Sequence, residues 1–259
     1  MLLLCRKHLA WPQFIQLPKS NMRKIVVIIL LILSTSSIAQ KANRLFGKDP
    51  IINLENFQQK RMYFGFYLGF NSYDFKIDYK TVSEDIQVKK NTGFNVGLVA
   101  DLRLHEHVNL RFEPGLYYTK RDLQYPESYF PTTPSYSDKL REVNSTYLHF
   151  PLLLKFSSLR TGNVRPYLLG GVSATLNLSS NAKSKDDNNN DVFRVKSWTT
   201  NYELGFGIDI FSDYFIFSPS IRGVFGLSDE LIRDNNDSAW TGNIESMKTR
   251  AVFINFTFH

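Results

Sequence analysis

Six charged side chains occur inside segments that otherwise alternate between apolar and polar residues. They are Arg111, Glu113, Lys155, Glu203, Asp209 and Arg222. Acids and bases of this kind, held together away from water, could relay protons, line a polar path or pair with one another. Because an unpaired charge in a narrow interior is unfavourable, we predict that the six form an ion-paired plug. A gated polar path through the same residues is the alternative interpretation.

The histidines give little support for catalysis or for a metal site. Beyond residue 39 they are His105, His107, His149 and His259. His105 and His107 lack the third protein ligand that a zinc site requires. His149 is the one histidine predicted to face inward, where a hydrogen-bonded structural role suits it better than that of a catalytic base. No phosphate-binding glycine loop occurs. We therefore predict no cofactor and no enzyme, and a barrel enzyme is the third function class.

The segments that carry these charges have the two-residue period of β-strands. Eight such segments occur, the first over Tyr63–Asn71 and the last over 250–259. In the last one, Val252, Ile254 and Phe256 share a single face. Run lengths of about nine to eleven residues match strands that cross a membrane at a tilt.

The position of the apolar face, outside or inside the barrel, distinguishes a membrane barrel from soluble β-proteins. A lipocalin-like barrel or a sandwich would be apolar inside and polar outside. Here every apolar face is bulky, and the opposite faces hold Gly, Asn, Tyr and charges. We therefore predict an all-β fold, an eight-stranded antiparallel transmembrane up-and-down β-barrel of the bacterial outer membrane, over residues 63–259. Side chains fill the interior of a barrel of this size, which disfavours a diffusion porin.

The connections between the segments alternate in length. Those at 103–107, 157–164 and 211–214 are short, and the others are long and polar. Outer-membrane barrels have short periplasmic turns and long external loops, so we expect both chain ends in the periplasm. The stretches 183–191 and 234–237 are rich in Asp and Asn, which could bind calcium. They lack EF-hand spacing, however, and are interpreted as solvated loops.

The first 39 residues have the composition of a leader. A charged start at Met22 precedes nine aliphatic residues, 25–33, and a small-x-small pattern ends at Ala39. We predict an upstream extension, a signal peptide that begins at Met22, and cleavage between Ala39 and Gln40. A periplasmic segment, 40–62, would follow. The apolar run is too short for a transmembrane helix, and an uncleaved anchor is the alternative.

Removing the predicted leader changes the charge. The whole chain has a formal net charge of +7, and residues 1–39 hold five basic residues and no acid, which leaves +7 − 5 = +2. A nearly neutral chain gives no support for nucleic-acid binding. The only cysteine, Cys5, also lies in the leader. The mature chain therefore has no disulfide, no thiolate metal site and no cysteine for lipoprotein attachment.

Two parts of the chain resemble a known family. Leu148–Phe156, followed by Arg165–Gly171, is similar to the paired-strand signature of Bacteroidetes outer-membrane β-barrel proteins. His149 stands where the family usually has an acid. Ile52–Phe57 and Arg61–Phe75 resemble the start of the PorT proteins. These have an asparagine-leucine-x-asparagine-phenylalanine stretch, then a strand of the form aromatic-Gly-Phe-x-x-Gly-x-Asn.

The resemblance covers essentially the whole mature chain and implies a role in the type IX secretion system, and in gliding motility where that system supports it. PorT proteins have no assigned catalytic residues, so it implies no catalytic site. Expected partners are outer-membrane lipid, other secretion-system proteins and the barrel assembly machinery. That machinery reads a terminal strand whose last residue is usually aromatic, and His259 after Phe258 departs from this pattern. A generic structural or small-solute barrel with no secretion role is the alternative function.

Overall fold

The computed structural model describes residues 52–56, 60–81, 83–130, 139–182, 193–234 and 239–259. The predicted leader, its cleavage site between Ala39 and Gln40, and the Asp- and Asn-rich stretch 183–191 lie outside these residues. The described residues include no helix long and apolar enough to cross a bilayer.

The described part of the chain contains ten strands, and a short 3-10 helix, Glu127–Tyr129, follows the fifth of them. They are β1 (Met62–Tyr79), β2 (Gln87–Lys90), β3 (Thr92–Arg103), β4 (Val108–Phe112), β5 (Gly115–Gln124), β6 (Leu140–Ser157), β7 (Val164–Asn177), β8 (Trp198–Phe211), β9 (Ile216–Gly226) and β10 (Ile244–Phe258). β1 begins one residue before the predicted start of the barrel at Tyr63.

The ten strands form eight barrel positions. β2 and β3 are interrupted only at Asn91, and β4 and β5 only at Glu113 and Pro114. Pro114 has no N–H to donate, which explains the second break in the ladder. All neighbours are antiparallel, and β1 pairs with both β10 and β3, so the sheet closes on itself. The predicted eight-stranded up-and-down barrel is confirmed.

Alternate residues point outward and inward along each strand, as the pleat requires. Phe64, Leu98 and Phe206 point outward and are 68 %, 65 % and 59 % exposed. Their neighbours on the other face, such as Tyr67 and Glu203, are fully buried. The outward side chains form a continuous apolar band around the barrel, as the sequence predicts.

The strands are longer than predicted, because they continue past the apolar band. β1 and β6 each have 18 residues. On β1 the band ends at Phe70, beyond which Lys76 points outward and Phe75 points inward. This outer part of the barrel encloses an apolar core. Its buried members are Phe75, Ile86, Leu123, Tyr125, Val143, Phe193, Val195, Leu231, Ile244 and Met247.

The two ends of the barrel differ. At one end, here called the turn end, β1 begins, β10 ends, and three short turns occur at 104–107, 158–163 and 212–215. The turn after β6 contains Gly162, whose positive φ of 59° is readily adopted only without a side chain. The opposite end, here called the loop end, carries the longer connections and the apolar core.

Candidate functional site in the barrel interior

A chain of ion pairs crosses the interior within the apolar band. It begins at Asp101 on β3, whose carboxylate lies 2.8 Å from Arg111 Nη2. Arg111 also pairs with Glu113, at 3.2 Å. Arg222 on β9 joins Glu113, at 2.9 Å, to Glu203 on β8, at 3.2 Å. All five side chains are buried, so each charge depends on its neighbours in the chain.

The chain of ion pairs ends at His149 on β6. Its Nε2 lies 2.7 Å from the second Glu203 oxygen, and its Nδ1 lies 2.8 Å from Thr175 Oγ1. Asn201 Nδ2 donates to the same hydroxyl at 3.0 Å. Both ring nitrogens are occupied by neighbouring side chains, which suits a histidine that holds strands together.

A second cluster is centred on Asp209 of β8. Lys155 Nζ lies 2.8 Å from each of its carboxylate oxygens. Arg165 Nη2 donates to one of them at 2.8 Å, and Ser218 Oγ donates to the other at 2.7 Å. One carboxylate therefore pairs with two cations, and the cluster by itself keeps one excess positive charge. The Lys155 ammonium also lies 4.1 Å from the centroid of the Tyr167 ring, a cation–π contact.

The structure places all six sequence-predicted residues in the interior but divides them between two groups. Arg111, Glu113, Glu203 and Arg222 belong to the chain of ion pairs, and Lys155 and Asp209 belong to the second cluster. Asp101 and Arg165 also belong to these groups but were not among the predicted residues. Asp101 could have been found, because it falls on the inward face of its segment. With these two, four acidic side chains meet four basic ones, so the charges balance without a contribution from His149.

Aromatic rings fill the interior beside the ion pairs. The Tyr117 ring centroid lies 4.7 Å from that of Phe253 and 5.0 Å from that of His149. The Tyr67 and Tyr117 hydroxyls are 3.1 Å apart. A cavity next to His149, lined in part by Tyr73, measures about 10 Å³. That volume is at the lower limit for one water molecule, so it offers no continuous aqueous path.

Arg121 closes the interior toward the loop end and is not among the six residues predicted from the sequence. Its guanidinium carbon lies 3.8 Å from the centroid of the Phe75 ring, and it donates to the Tyr147 hydroxyl. Glu230, in the connection after β9, accepts a backbone N–H at 3.1 Å. Burial raises the pKa of the Glu230 carboxyl, and the positive charge of Arg121 opposes that rise.

The prediction that His149 is the only inward-facing histidine is wrong. The ring of His259 contacts Tyr63 edge-on, with centroids 5.2 Å apart, and its Nε2 lies 3.5 Å from Arg111 Nη2. The physical reason is the strand period, which gives residue 259 the same inward direction as Thr257.

The two histidines of the first turn do not form a metal site. The ring centroids of His105 and His107 are 6.3 Å apart. His107 Nδ1 lies 3.1 Å from the Ser157 carbonyl oxygen. Nowhere in the described ranges do three His, Cys, Asp or Glu side chains converge as metal ligands would.

Residues 52–56 are fastened to the turn end through Asn53. The backbone N–H of Asn53 donates to Asn163 Oδ1 at 3.1 Å, and its side-chain amide donates to the Phe211 carbonyl at 3.3 Å. Arg160 donates to the carbonyl of Asn53 and to Asn163 Oδ1, both at 2.6 Å. The guanidinium carbon of Arg160 lies 3.8 Å from the centroid of the Phe211 ring. This stretch before β1 is therefore held by the turn after β6 and by the last residue of β8.

Comparison with known proteins gives a family match over most of the chain. The model of the family described as "Outer membrane protein beta-barrel domain" matches residues 39–231. No curated protein matches the chain.

Similar solved structures include OprG from Pseudomonas aeruginosa, at 15 % identity over 76 % of this chain and 95 % of that one, with a TM-score of 0.43. AlkL, solved by solid-state NMR in lipid bilayers, has 13 % identity over 82 % of this chain and 92 % of that one, with a TM-score of 0.40. Neisserial surface protein A has 12 % identity over 74 % of this chain and 95 % of that one, with a TM-score of 0.35.

Proposed function

Because the chain belongs to the outer membrane protein beta-barrel domain family, we propose that it acts in the bacterial outer membrane as a closed, non-catalytic barrel that works through contacts with other proteins. The filled interior carries this proposal. Among the described residues, eight paired charges, the rings around Tyr117 and the apolar core at the loop end occupy the interior, and the cavity beside His149 is too small for a solute. In this role the six charges predicted from the sequence act as a plug. Their contribution is to the stability of the barrel.

The proposed contacts serve type IX protein secretion, as the resemblance to PorT proteins implies. Part of that resemblance is the stretch Ile52–Phe57, and Asn53 within it is fastened to Arg160 and Asn163. Short turns of outer-membrane barrels face the periplasm. The stretch would thus be presented, in a fixed position, to periplasmic components of the secretion system.

Exposed apolar side chains at the turn end supply a second argument for partner contacts. Each of the three short turns carries one, namely Leu104, Leu159 and Tyr214, which are 56 %, 69 % and 92 % exposed. Apolar side chains exposed around one face, among polar groups, are typical of protein interaction sites. They would lie on the same side of the membrane as Asn53.

Deletion of the gene, followed by proteomics of the medium and the periplasm, tests this function. We expect type IX substrates to disappear from the medium and accumulate in the periplasm, while uptake of small solutes stays unchanged. Normal secretion together with loss of uptake of a solute would instead favour the generic small-solute barrel.

Complementation with matched variants tests the surface. A triple variant, Leu104→Ser with Leu159→Ser and Tyr214→Ser, should be folded in the outer membrane but restore secretion poorly. The control, Leu178→Ser with Leu227→Ser, changes two comparably exposed apolar residues at the loop end. It should restore secretion fully, and equal effects of the two variants would argue against a periplasmic contact surface.

A further inference from the structure

Basic side chains face outward on β1 and β10, just beyond the apolar band toward the loop end. Lys76 and Lys248 are directly opposite each other in the register of these strands, and Arg250 lies two residues closer to the band. Lys76 and Arg250 are exposed, and Lys248 is half-buried. The strand period gives Lys248 and Arg250 the same outward direction as Val252, which belongs to the apolar band and is 47 % exposed. The three cations therefore lie on the outer wall of the barrel.

Carboxylates compensate the charge of this surface only in part. Lys90, on β2, pairs with Asp74 at 2.8 Å, and Lys76 pairs with Asp78 at 3.4 Å. In the part of the chain that the structure describes, the other two cations of the surface form no ion pair. Four basic side chains thus face two acidic ones. Counting Glu245, which lies farther toward the loops on β10, still leaves one excess positive charge.

The arrangement of the cations favours an anionic ligand. Like charges directly opposite one another on neighbouring strands are destabilising, and Lys76 and Lys248 are such a pair. A phosphate between them would offset that repulsion. The planar fork of the Arg250 guanidinium also suits phosphate oxygens, which are strong hydrogen-bond acceptors. A phosphate group is therefore the chemistry that this surface matches.

The distance of this surface from the apolar band indicates that the phosphate belongs to a lipid. Arg250 lies two residues beyond Val252, which is about 7 Å along a strand, and it pairs in register with Phe225, an exposed residue of the band on β9. The headgroup region adds roughly 5–8 Å to each side of the hydrocarbon core. Arg250 is therefore at headgroup depth, and the flexible stems of the two lysines allow their ammonium groups to approach the same depth.

We propose that Lys76, Lys248 and Arg250 bind the phosphate headgroup of an anionic lipid in the outer leaflet. The acyl chains of this lipid lie along Val252 and Phe225. Long loops of outer-membrane barrels face the exterior, so the loop end places these cations in that leaflet. The bound phosphate stabilises the pairing of β1 with β10, where the first and last strands close the barrel. The site requires an outer-membrane location and is independent of any role in secretion.

Lipid binding to the purified full chain in neutral detergent, measured by native mass spectrometry without divalent cations, tests the proposal. The probes are diphosphoryl lipid A, dioleoyl phosphatidylcholine and inorganic phosphate. We expect the wild type to retain diphosphoryl lipid A in preference to phosphatidylcholine. Each basic residue near an anionic lipid changes affinity by about fivefold. The double variant Lys248→Gln with Arg250→Gln should therefore bind diphosphoryl lipid A about 25-fold more weakly.

A matched control removes two positive charges from another part of the outer wall, where carboxylates balance them. Lys89 is opposite Asp122 in the register of β2 and β5, and Lys120 pairs with Glu142 at 2.8 Å. The variant Lys89→Gln with Lys120→Gln should bind diphosphoryl lipid A like the wild type. Heat-dependent gel mobility checks that each variant is folded. If the double variant of the proposed site does not fold, Arg250→Gln alone carries the test, with an expected loss of about fivefold.

Four results would overturn the proposal. The first is equal retention of phosphatidylcholine and diphosphoryl lipid A by the wild type. The second is unchanged binding of diphosphoryl lipid A by the folded variant of the proposed site, and the third is an equal loss in the control variant. The fourth is displacement of the lipid by an equal concentration of inorganic phosphate, which would identify free phosphate as the ligand.

Discussion

At the scale of single residues, Asp209 is the side chain on which the interior depends most. Its carboxylate holds both Lys155 and Arg165 and accepts a hydrogen bond from Ser218. Removing one partner of a buried ion pair is more damaging than removing both, because the remaining charge has neither water nor a counter-ion. The two sides of this cluster are therefore not equivalent.

Asp209→Asn leaves the buried Lys155 and the partly buried Arg165 without a carboxylate, and we expect it to lower the free energy of unfolding by about 3–5 kcal/mol. Lys155→Met leaves Asp209 with Arg165 and Ser218, so its effect should be smaller. Urea unfolding of both variants in lipid vesicles, followed by gel mobility, measures the difference. A Lys155→Met variant as unstable as Asp209→Asn would contradict this assignment.

Gly97 and Gly170 give a second prediction at this scale, because only one of them has room for a methyl group. A Cβ on Gly97 would clash with the Pro114 carbonyl oxygen and lie 2.6 Å from ring atoms of Tyr67, whereas on Gly170 the nearest atom is a flexible Leu204 methyl at 3.4 Å. We expect Gly97→Ala to destabilise the barrel by about 1–3 kcal/mol and Gly170→Ala to be nearly neutral. The same unfolding assay distinguishes them, and equal stabilities would mean that Tyr67 does not hold this position.

At the scale of the strands, the alternation of apolar and polar residues predicts the barrel well, but it does not predict the full length of the strands. On β1, Phe64 to Phe70 place apolar side chains outside and polar ones inside. Beyond Phe70 the period is unchanged, but the apolar side chains, Tyr73 and Phe75, are now inside. The apolar face changes sides where the outer environment changes from lipid to water. A search for one continuous apolar face therefore stops too early.

Which charged side chains pair with each other was less predictable than the inward direction of each side chain. Alternation gives the inward direction of Glu203 and Arg222. They are diagonal neighbours, because the register of β8 and β9 places Arg222 opposite Gly205 and Glu203 opposite Val224. The contact between Arg222 and Glu113 joins strands that are distant in sequence, across the barrel interior. Such contacts depend on barrel geometry, which a strand-by-strand analysis does not contain. This is why the six predicted residues divide into two clusters instead of one network.

Phe206 and Thr200 test the sidedness of β8. Both point outward, Phe206 near the middle of the apolar band and Thr200 near the start of the strand. An arginine in mid-membrane is unfavourable by about 2–4 kcal/mol, and near the interface by about 0–1 kcal/mol. Phe206→Arg should therefore reduce the folded fraction in outer-membrane preparations far more than Thr200→Arg. Equal folded levels would contradict the position of the band on this strand.

At the scale of the whole molecule, the interior is closed at three levels. The Asp209 cluster lies toward the turn end, the ion-pair chain and aromatic rings fill the middle, and Arg121 with the apolar core closes the loop end. The first two levels depend on separate groups of ion pairs, and the third depends mainly on apolar packing. Because the interior is filled, we expect the outer wall, the turns and the loops to make the functional contacts.

Conductance of the purified, folded barrel in planar lipid bilayers tests the closed interior most directly. In concentrated potassium chloride, the wild-type protein should add no stepwise conductance to that of the bare bilayer at either polarity. Stable conductance steps from the folded wild type would contradict the account, since they would require a continuous aqueous path past Arg222 and Phe253.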